Sequence, residues 1–109
     1  MPAFTSRYSV SVTLAAGVTT TVDVPVDGAR DWLFVVKNTG DEAITAMTLA
    51  RYPLGVGELG EDAVSVTEDI PLAAGASTPI EGSSEPITTL RVVLTSTSGT
   101  TARIAGGGW

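Results

Sequence analysis

The chain has 109 residues, a formal net charge of −6 at pH 7, and neither cysteine nor histidine. This length fits one domain with a single core, and the lack of cysteine excludes disulfides and thiolate sites. The negative charge opposes contact with phosphate backbones, so we expect no nucleic-acid partner. No stretch approaches the roughly 20 apolar residues of a membrane span, and the start lacks the features of a secretory signal, so we expect neither membrane insertion nor export.

The composition favours β-structure. Hydrophobic residues make up 43% of the chain and charged residues only 17%, while 16 threonines are present. Threonine is β-branched and fits a pleated strand with its hydroxyl facing outward. Apolar residues nowhere recur with helical spacing over three turns, so we expect no long helix.

Alternating apolar and polar residues predict two strands near the start of the chain. They are YSVSVTL, residues 8–14, and VTTTVDV, residues 18–24. Because only a short turn separates them, we expect a hairpin, and Pro25 ends it since proline cannot donate to a strand ladder. Asp27-Gly28 then provides the positive φ angles of a tight turn.

A central strand is predicted by the apolar run WLFVVKN, residues 32–38, with Trp32, Phe34 and Val36 on one face. Both faces are expected to be buried at its start. In the following NTGDE turn, Asn38 can bond its own backbone and Gly40 can take the left-handed position of a bulged hairpin loop.

Shorter strands separated by turns are predicted in the second half. The longest interruption, PLGVGELGED at residues 53–62, is either an excursion between sheets or a loop that contacts another protein. The remaining strand segments are AITAMTLARY, AVSVTEDI, a short segment ending near Ile80, ITTLRVVLTS, and TARIA, which we expect to pair back on its predecessor. About seven short strands predict an all-β, antiparallel immunoglobulin-like β-sandwich.

We expect three parts in the chain: an N-terminal arm at residues 1–7, a β-sandwich domain at residues 8–104, and a glycine-tethered tail at residues 105–109. The tail, AGGGW, ends in Trp109. Burying a tryptophan gains a few kcal/mol, and ordering three glycines costs about 1 to 2 kcal/mol each. Trp109 therefore folds back on its own sandwich, docks in a neighbouring subunit, or is ordered only by incidental contacts.

Two phrases together, WLFVVKNTGDEAITAMTL and IPLAAGASTPI, resemble the small immunoglobulin-like β-sandwich domains of bacterial surface proteins and tailed-phage virions. The likeness covers about residues 8–104. Because this chain shows no signal and no second copy of the module, the phage side of the resemblance is favoured. It implies a capsid decoration or cement protein that binds the outside of a shell, often as a trimer.

The residues argue against catalysis. Without histidine or cysteine, Ser-His-Asp and Cys-His arrangements are excluded, and we expect no enzyme and no cofactor. The glycines of GVGELG lack the strand and helix of a nucleotide loop. Loop oxygens could hold calcium, but they do not match a D-x-D-x-D-G loop, so we expect no metal. The candidate calcium ligands are Asp27, Asp31, Asn38, Asp41 and Glu42.

Five residues are candidates for contact with a partner, because apolar and aromatic anchors on adaptable backbone suit protein interfaces. They are Phe4, Arg51, Tyr52, Leu54 and Trp109.

These expectations predict a structural virion protein, assembled in the host cytoplasm. The predicted function is capsid decoration. The protein is expected to bind the major capsid protein or another virion protein and to stabilise the shell by bridging subunits. We expect it to form a homo-oligomer, specifically a trimer. The alternatives are a tail, neck or fibre subunit, or a carbohydrate-binding or adhesion module that uses Tyr8, Trp32 and Tyr52.

Overall fold

The computed structural model describes residues 6–53, 65–67, 70–83 and 87–109. These residues form eight β-strands and no helix. The described part of the chain therefore has no helix that could span a membrane. The strands are β1 (Ser6–Leu14), β2 (Thr20–Pro25), β3 (Trp32–Asn38), β4 (Ala46–Tyr52), β5 (Ser65–Thr67), β6 (Ser77–Gly82), β7 (Thr89–Thr95) and β8 (Thr100–Gly108).

The strands make two four-stranded antiparallel sheets. Sheet A has the order β1-β8-β3-β6 and sheet B the order β2-β7-β4-β5. The predicted all-β antiparallel sandwich is confirmed. The strand order, however, is that of a jelly roll, in which the chain passes back and forth between two sheets, and not the order of an immunoglobulin domain.

The hairpins expected from the sequence are not formed. β1 pairs with β8 and β2 pairs with β7, so the first two strands lie in different sheets. The strand after NTGDE, β4, likewise leaves the sheet of β3, and β8 does not pair with β7. Alternation fixes only which face of a strand is buried. It does not determine the sheet to which the strand belongs, because strands of both sheets bury one face in the same core.

The two predicted turns have different outcomes. Asp27 and Gly28 both have positive φ angles, 57° and 74°, as expected. Gly40 does not belong to the described residues with positive φ. Its lack of a side chain is needed for another reason, because a Cβ there would clash with the side chain of Thr100.

The predicted glycine tether forms part of the sandwich. Ala105 to Gly108 belong to β8, which pairs with β1 on one side and β3 on the other. A Cβ on Gly106 would meet the carbonyl oxygen of Leu33 and lie 2.7 Å from the Cα of Phe34. The glycine therefore lets the last strand pass close to β3, and it serves packing where the sequence suggested flexibility.

The core lies between the sheets. Trp32 and Phe34 are 1% and 0% exposed, and their ring centres lie 6.2 Å apart. The predicted alternation of β3 is confirmed, since Val36 is also buried while Val35 is exposed. Sheet B contributes the inward residues of its strands to the same core, among them Val22, Val24, Met47, Leu49, Leu90, Val92 and Leu94.

Candidate partner-binding surface

The outer face of sheet A carries apolar side chains at its centre. An antiparallel sheet covered on one face normally presents polar residues on the other. Here Val35, 39% exposed, lies between Pro79 of β6 and Ala105 of β8. Leu33 lies on the same face two residues earlier and is half-buried. We call Leu33, Val35, Pro79 and Ala105 the outer patch.

Two cations stand at one end of the outer patch. Lys37 follows Val35 on the same face and lies directly opposite Arg103 of β8, and both are exposed. Like charges in this cross-strand position repel. No carboxylate of the described residues forms a salt bridge with either cation, and Arg103 donates a hydrogen bond to Oγ of Ser9 at 3.0 Å. An anionic group on another molecule would relieve this repulsion.

The other end of the outer patch is acidic and concave. A groove of about 340 Å³ opens there between the start of β3, the end of β6 and the end of the chain. Its acidic residues, Asp31 and Glu81, lie on the outer face with Leu33. The groove is lined by Asp31, Trp32, Leu33, Glu81, Gly82, Ser83 and Trp109.

Trp109 is fixed at this groove by its backbone. Its N–H donates to the carbonyl of Asp31 at 2.8 Å, and its carbonyl accepts from the N–H of Asp31 at 3.2 Å. The side chain is partly buried. The residue thus lies on its own sandwich at the edge of an open surface, and its docking to a neighbouring subunit stays a prediction.

Arg51 and Tyr52 are adjacent at the end of β4 and point to opposite faces of sheet B. The Cζ atom of Arg51 lies 5.6 Å from the ring centre of Trp32, so this cation caps one end of the core. Tyr52 faces outward, where the Cζ of Arg91 lies 5.5 Å from its ring centre. The structure therefore does not bring the two together as one contact surface.

The remaining predicted anchors, Phe4 and Leu54, lie outside the described residues. So do the acidic residues of the long loop, residues 58–62. Arg51, Tyr52 and Trp109 are themselves separated, because the first two lie in sheet B and the third adjoins the outer face of sheet A.

The aromatic residues considered for sugar binding do not form a platform. Trp32 is buried in the core. Tyr8 belongs to β1 of sheet A and packs against the core, whereas Tyr52 belongs to sheet B. A sugar-stacking surface built from these three residues is therefore not present.

Asn38 is a structural residue. Its side chain is fully buried, and Nδ2 donates to the carbonyls of Glu42 at 2.7 Å and Leu72 at 3.1 Å. Its Oδ1 accepts from the N–H of Gly40 at 3.2 Å, the predicted local bond, and from the hydroxyl of Thr100 at 3.0 Å. With these bonds made, Asn38 has no oxygen to spare for a cation. The described residues also contain no group of three or more acidic side chains able to hold a metal.

Sequence reasoning missed the outer patch and its cations. Both faces of WLFVVKN are expected to be buried at the start of the strand, whereas Leu33, on the outer face there, is only half-buried. An uninterrupted apolar run also occurs where the outer face of a sandwich strand binds another molecule. The positions of Lys37 and Arg103 opposite each other follow from the register of β3 and β8, which no local pattern specifies.

No protein-family model matches the chain, and no curated protein matches it. Solved structures share its fold. The Yersinia pseudotuberculosis-derived mitogen is 11% identical with a TM-score of 0.52, covering 94% of this chain and 86% of its own. PirA is 14% identical with a TM-score of 0.50, covering 94% of each chain. PliG of Aeromonas hydrophila, a periplasmic inhibitor of g-type lysozyme, is 8% identical with a TM-score of 0.50, covering 94% of this chain and 85% of its own.

These likenesses establish the fold alone. The resemblance to tailed-phage virion domains stays a prediction.

Proposed function

We propose that the chain is a structural virion protein, and specifically a capsid decoration protein that binds the outer capsid surface through the outer face of sheet A. The observation that carries the proposal is the outer patch, which exposes Val35 at the centre of a sheet face and has the Lys37–Arg103 pair at its end. Two cations that form no salt bridge with the described carboxylates, beside exposed apolar residues on a chain of net charge −6, suit an acidic, partly apolar protein surface.

The mechanism is burial combined with multivalency. Covering apolar side chains of this size gains about 1.5 to 3 kcal/mol for each one fully buried, and the association cost offsets much of the gain for a single copy. Copies held on one lattice raise the effective concentration of every contact, so weak individual contacts stabilise the shell together. The protein needs no chemistry at the interface, in keeping with its lack of histidine and cysteine.

The partner is the major capsid protein or another virion protein. A tail, neck or fibre subunit would use the same outer patch, and its position on the particle distinguishes it from a decoration protein. A homo-oligomer stays part of the proposal. The trimer is what the resemblance implies, and sedimentation of the purified protein distinguishes it from a dimer.

The test uses particles produced from viral genomes with and without this gene. Particles with the gene should contain many copies of the chain, and particles without it should release their genome at a lower temperature. Adding the purified protein should restore heat stability, and electron microscopy should show added density on the outer shell. Absence of the chain from purified particles would reject the proposal, and density on the tail would replace decoration by the alternative.

A further inference from the structure

Three of the four edge strands in the described residues have features that discourage pairing with a further strand. In sheet A, β6 contains Pro79, which cannot donate a backbone hydrogen bond. In sheet B, β2 ends in Pro25 and carries Asp23, and β5 comprises three of the described residues. Proline, charge and short length are the usual protections of exposed edges.

The fourth edge, β1, lacks these protections. It is nine residues long, and it pairs with β8 without interruption from Ser6 to Leu14, so it has no bulge that would turn the edge away. It contains no proline, and its single charged residue, Arg7, lies near one end. A long, regular edge of this kind is a template for another strand.

The core is also open along β1. Val10 and Val12 face inward but remain partly exposed, while their partners on β8, Ile104 and Ala102, are 0% exposed. Tyr8 is likewise partly exposed. A further strand beside β1 would cover these three side chains and extend the core.

We propose that β1 pairs antiparallel with β1 of a second copy, centred on Val10. In this register all nine residues of each strand are paired, and Tyr8 lies opposite Val12 of the other copy. Inward residues meet inward residues because the pairing preserves side-chain parity. Arg7 lies opposite Thr13, so the only charge on the strand meets no like charge. The self-complementary sequence is what favours a second copy over a different protein.

The dimer has a consequence for the outer patch. A two-fold axis through Val10 runs perpendicular to sheet A, so the two sheets join into one of eight strands with both outer patches on the same side. This arrangement would give two binding surfaces for one lattice. The consequence rests on the proposed function, whereas the strand pairing does not.

The experiment is sedimentation equilibrium of the full chain from about 1 µM to about 1 mM, a span that covers weak and moderate association. We expect the wild-type protein to form a dimer and Val10→Lys to raise its Kd at least about 100-fold, because two ammonium groups would then face each other at a covered site. Mixing Val10→Lys with Val10→Glu should restore a mixed dimer. The control, Thr21→Lys, makes the same charge change on the exposed face of β2 and should dimerise like wild type.

Wild-type protein that stays monomeric across this range would overturn the proposal, as would a dimer unaffected by Val10→Lys. If Val10→Lys does not fold, as read by circular dichroism, Val10→Cys provides a second test in a chain without native cysteine. It should form a disulfide-linked dimer under mild oxidation, since opposed Cβ atoms of antiparallel strands lie about 4.5 to 5.5 Å apart. Thr21→Cys should remain unlinked, and equal linkage of both variants would overturn the register. A dimer that fails to bind particles would reject the proposed function and leave the pairing intact.

Discussion

The backbone N–H of Trp109 donates to the carbonyl of Asp31 at 2.8 Å, and the carbonyl of Trp109 accepts from the N–H of Asp31. This pair continues the ladder between β3 and β8 by one position beyond Trp32 and Gly108. The last residue of the chain is therefore held by the central strand of sheet A, next to the surface that we propose binds the partner.

Removing residues 105–109 should abolish folding, because β8 would lose its pairing with both β1 and β3 at four of its nine residues. Trp109→Ala keeps the backbone pair and should lower the free energy of unfolding by only about 1 to 2 kcal/mol. Urea denaturation followed by circular dichroism measures both. A truncated chain that unfolds like the wild type would show that these residues are a dispensable tail.

Gly106→Ala should destabilise the protein by about 3 kcal/mol or prevent folding, because the new Cβ would clash with backbone atoms of Leu33 and Phe34. The control is Gly75→Ala. Gly75 has a φ of +75° but nothing within 4 Å of its Cβ position, so only backbone strain of about 1 kcal/mol is expected. Equal losses in thermal or urea unfolding would contradict the packing role of Gly106.

Asn38→Leu should lower the free energy of unfolding by about 3 kcal/mol, since it removes the amide that bonds the buried hydroxyl of Thr100 and the carbonyl of Glu42. The carbonyl of Leu72 also loses its bond to Asn38 but keeps the one from the N–H of Ile44. Thr39→Val serves as the control. The Thr39 hydroxyl bonds that of Thr101 at 2.8 Å but is exposed, so the change should stay within about 0.5 kcal/mol. A tolerated Asn38→Leu variant would refute the structural role of this amide.

Asp23→Asn should cost less than about 1 kcal/mol, because both partners of the Asp23–Arg91 ion pair are substantially exposed, and the cost should shrink in added salt. The hydrogen bond to Asp23 raises the pKa of Arg91. A raised pKa gives stabilisation that is present below the ordinary arginine value and lost only in strongly alkaline solution. Titration of Arg91 should therefore leave the free energy of unfolding unchanged between about pH 6 and pH 9. A change in this free energy over that range that is present in the wild type and absent in Asp23→Asn would contradict the assignment.

The sequence predicts much of the local structure and little of the arrangement of strands. Alternation places β3 correctly and β1 and β2 to within two residues at each end, and it assigns Trp32 to the core, because burial on one face gives a period of two. The pairing partner of each strand, in contrast, gives no local pattern in the sequence. β1 finds β8 across more than 80 residues, and the pairing depends on a core shared by the whole chain.

The candidate surface could be predicted only in part. Trp109 lies beside the groove, and its role as a partner anchor stays a prediction. The expected flexible tether is instead part of β8, since glycine occurs both in flexible segments and where strands pack closely. Lys37 and Arg103 are far apart in sequence, and their repulsion appears only once β3 and β8 are paired. The outer patch does not follow from the sequence, because both faces of the central strand are expected to be buried at its start, whereas Leu33 there is only half-buried and Val35 beyond it is exposed.

The most direct test of the account is a binding isotherm of the purified protein on particles that lack it, comparing Val35→Glu with Val66→Glu. Both valines are exposed, at 39% and 52%, but Val35 is on the outer face of sheet A and Val66 is on β5 of sheet B. We predict that Val35→Glu weakens binding at least about 100-fold, through lost burial and an introduced charge, while Val66→Glu binds like the wild type. Wild-type binding by Val35→Glu, or equal loss in both variants, would contradict the claim that the outer face of sheet A contacts the particle.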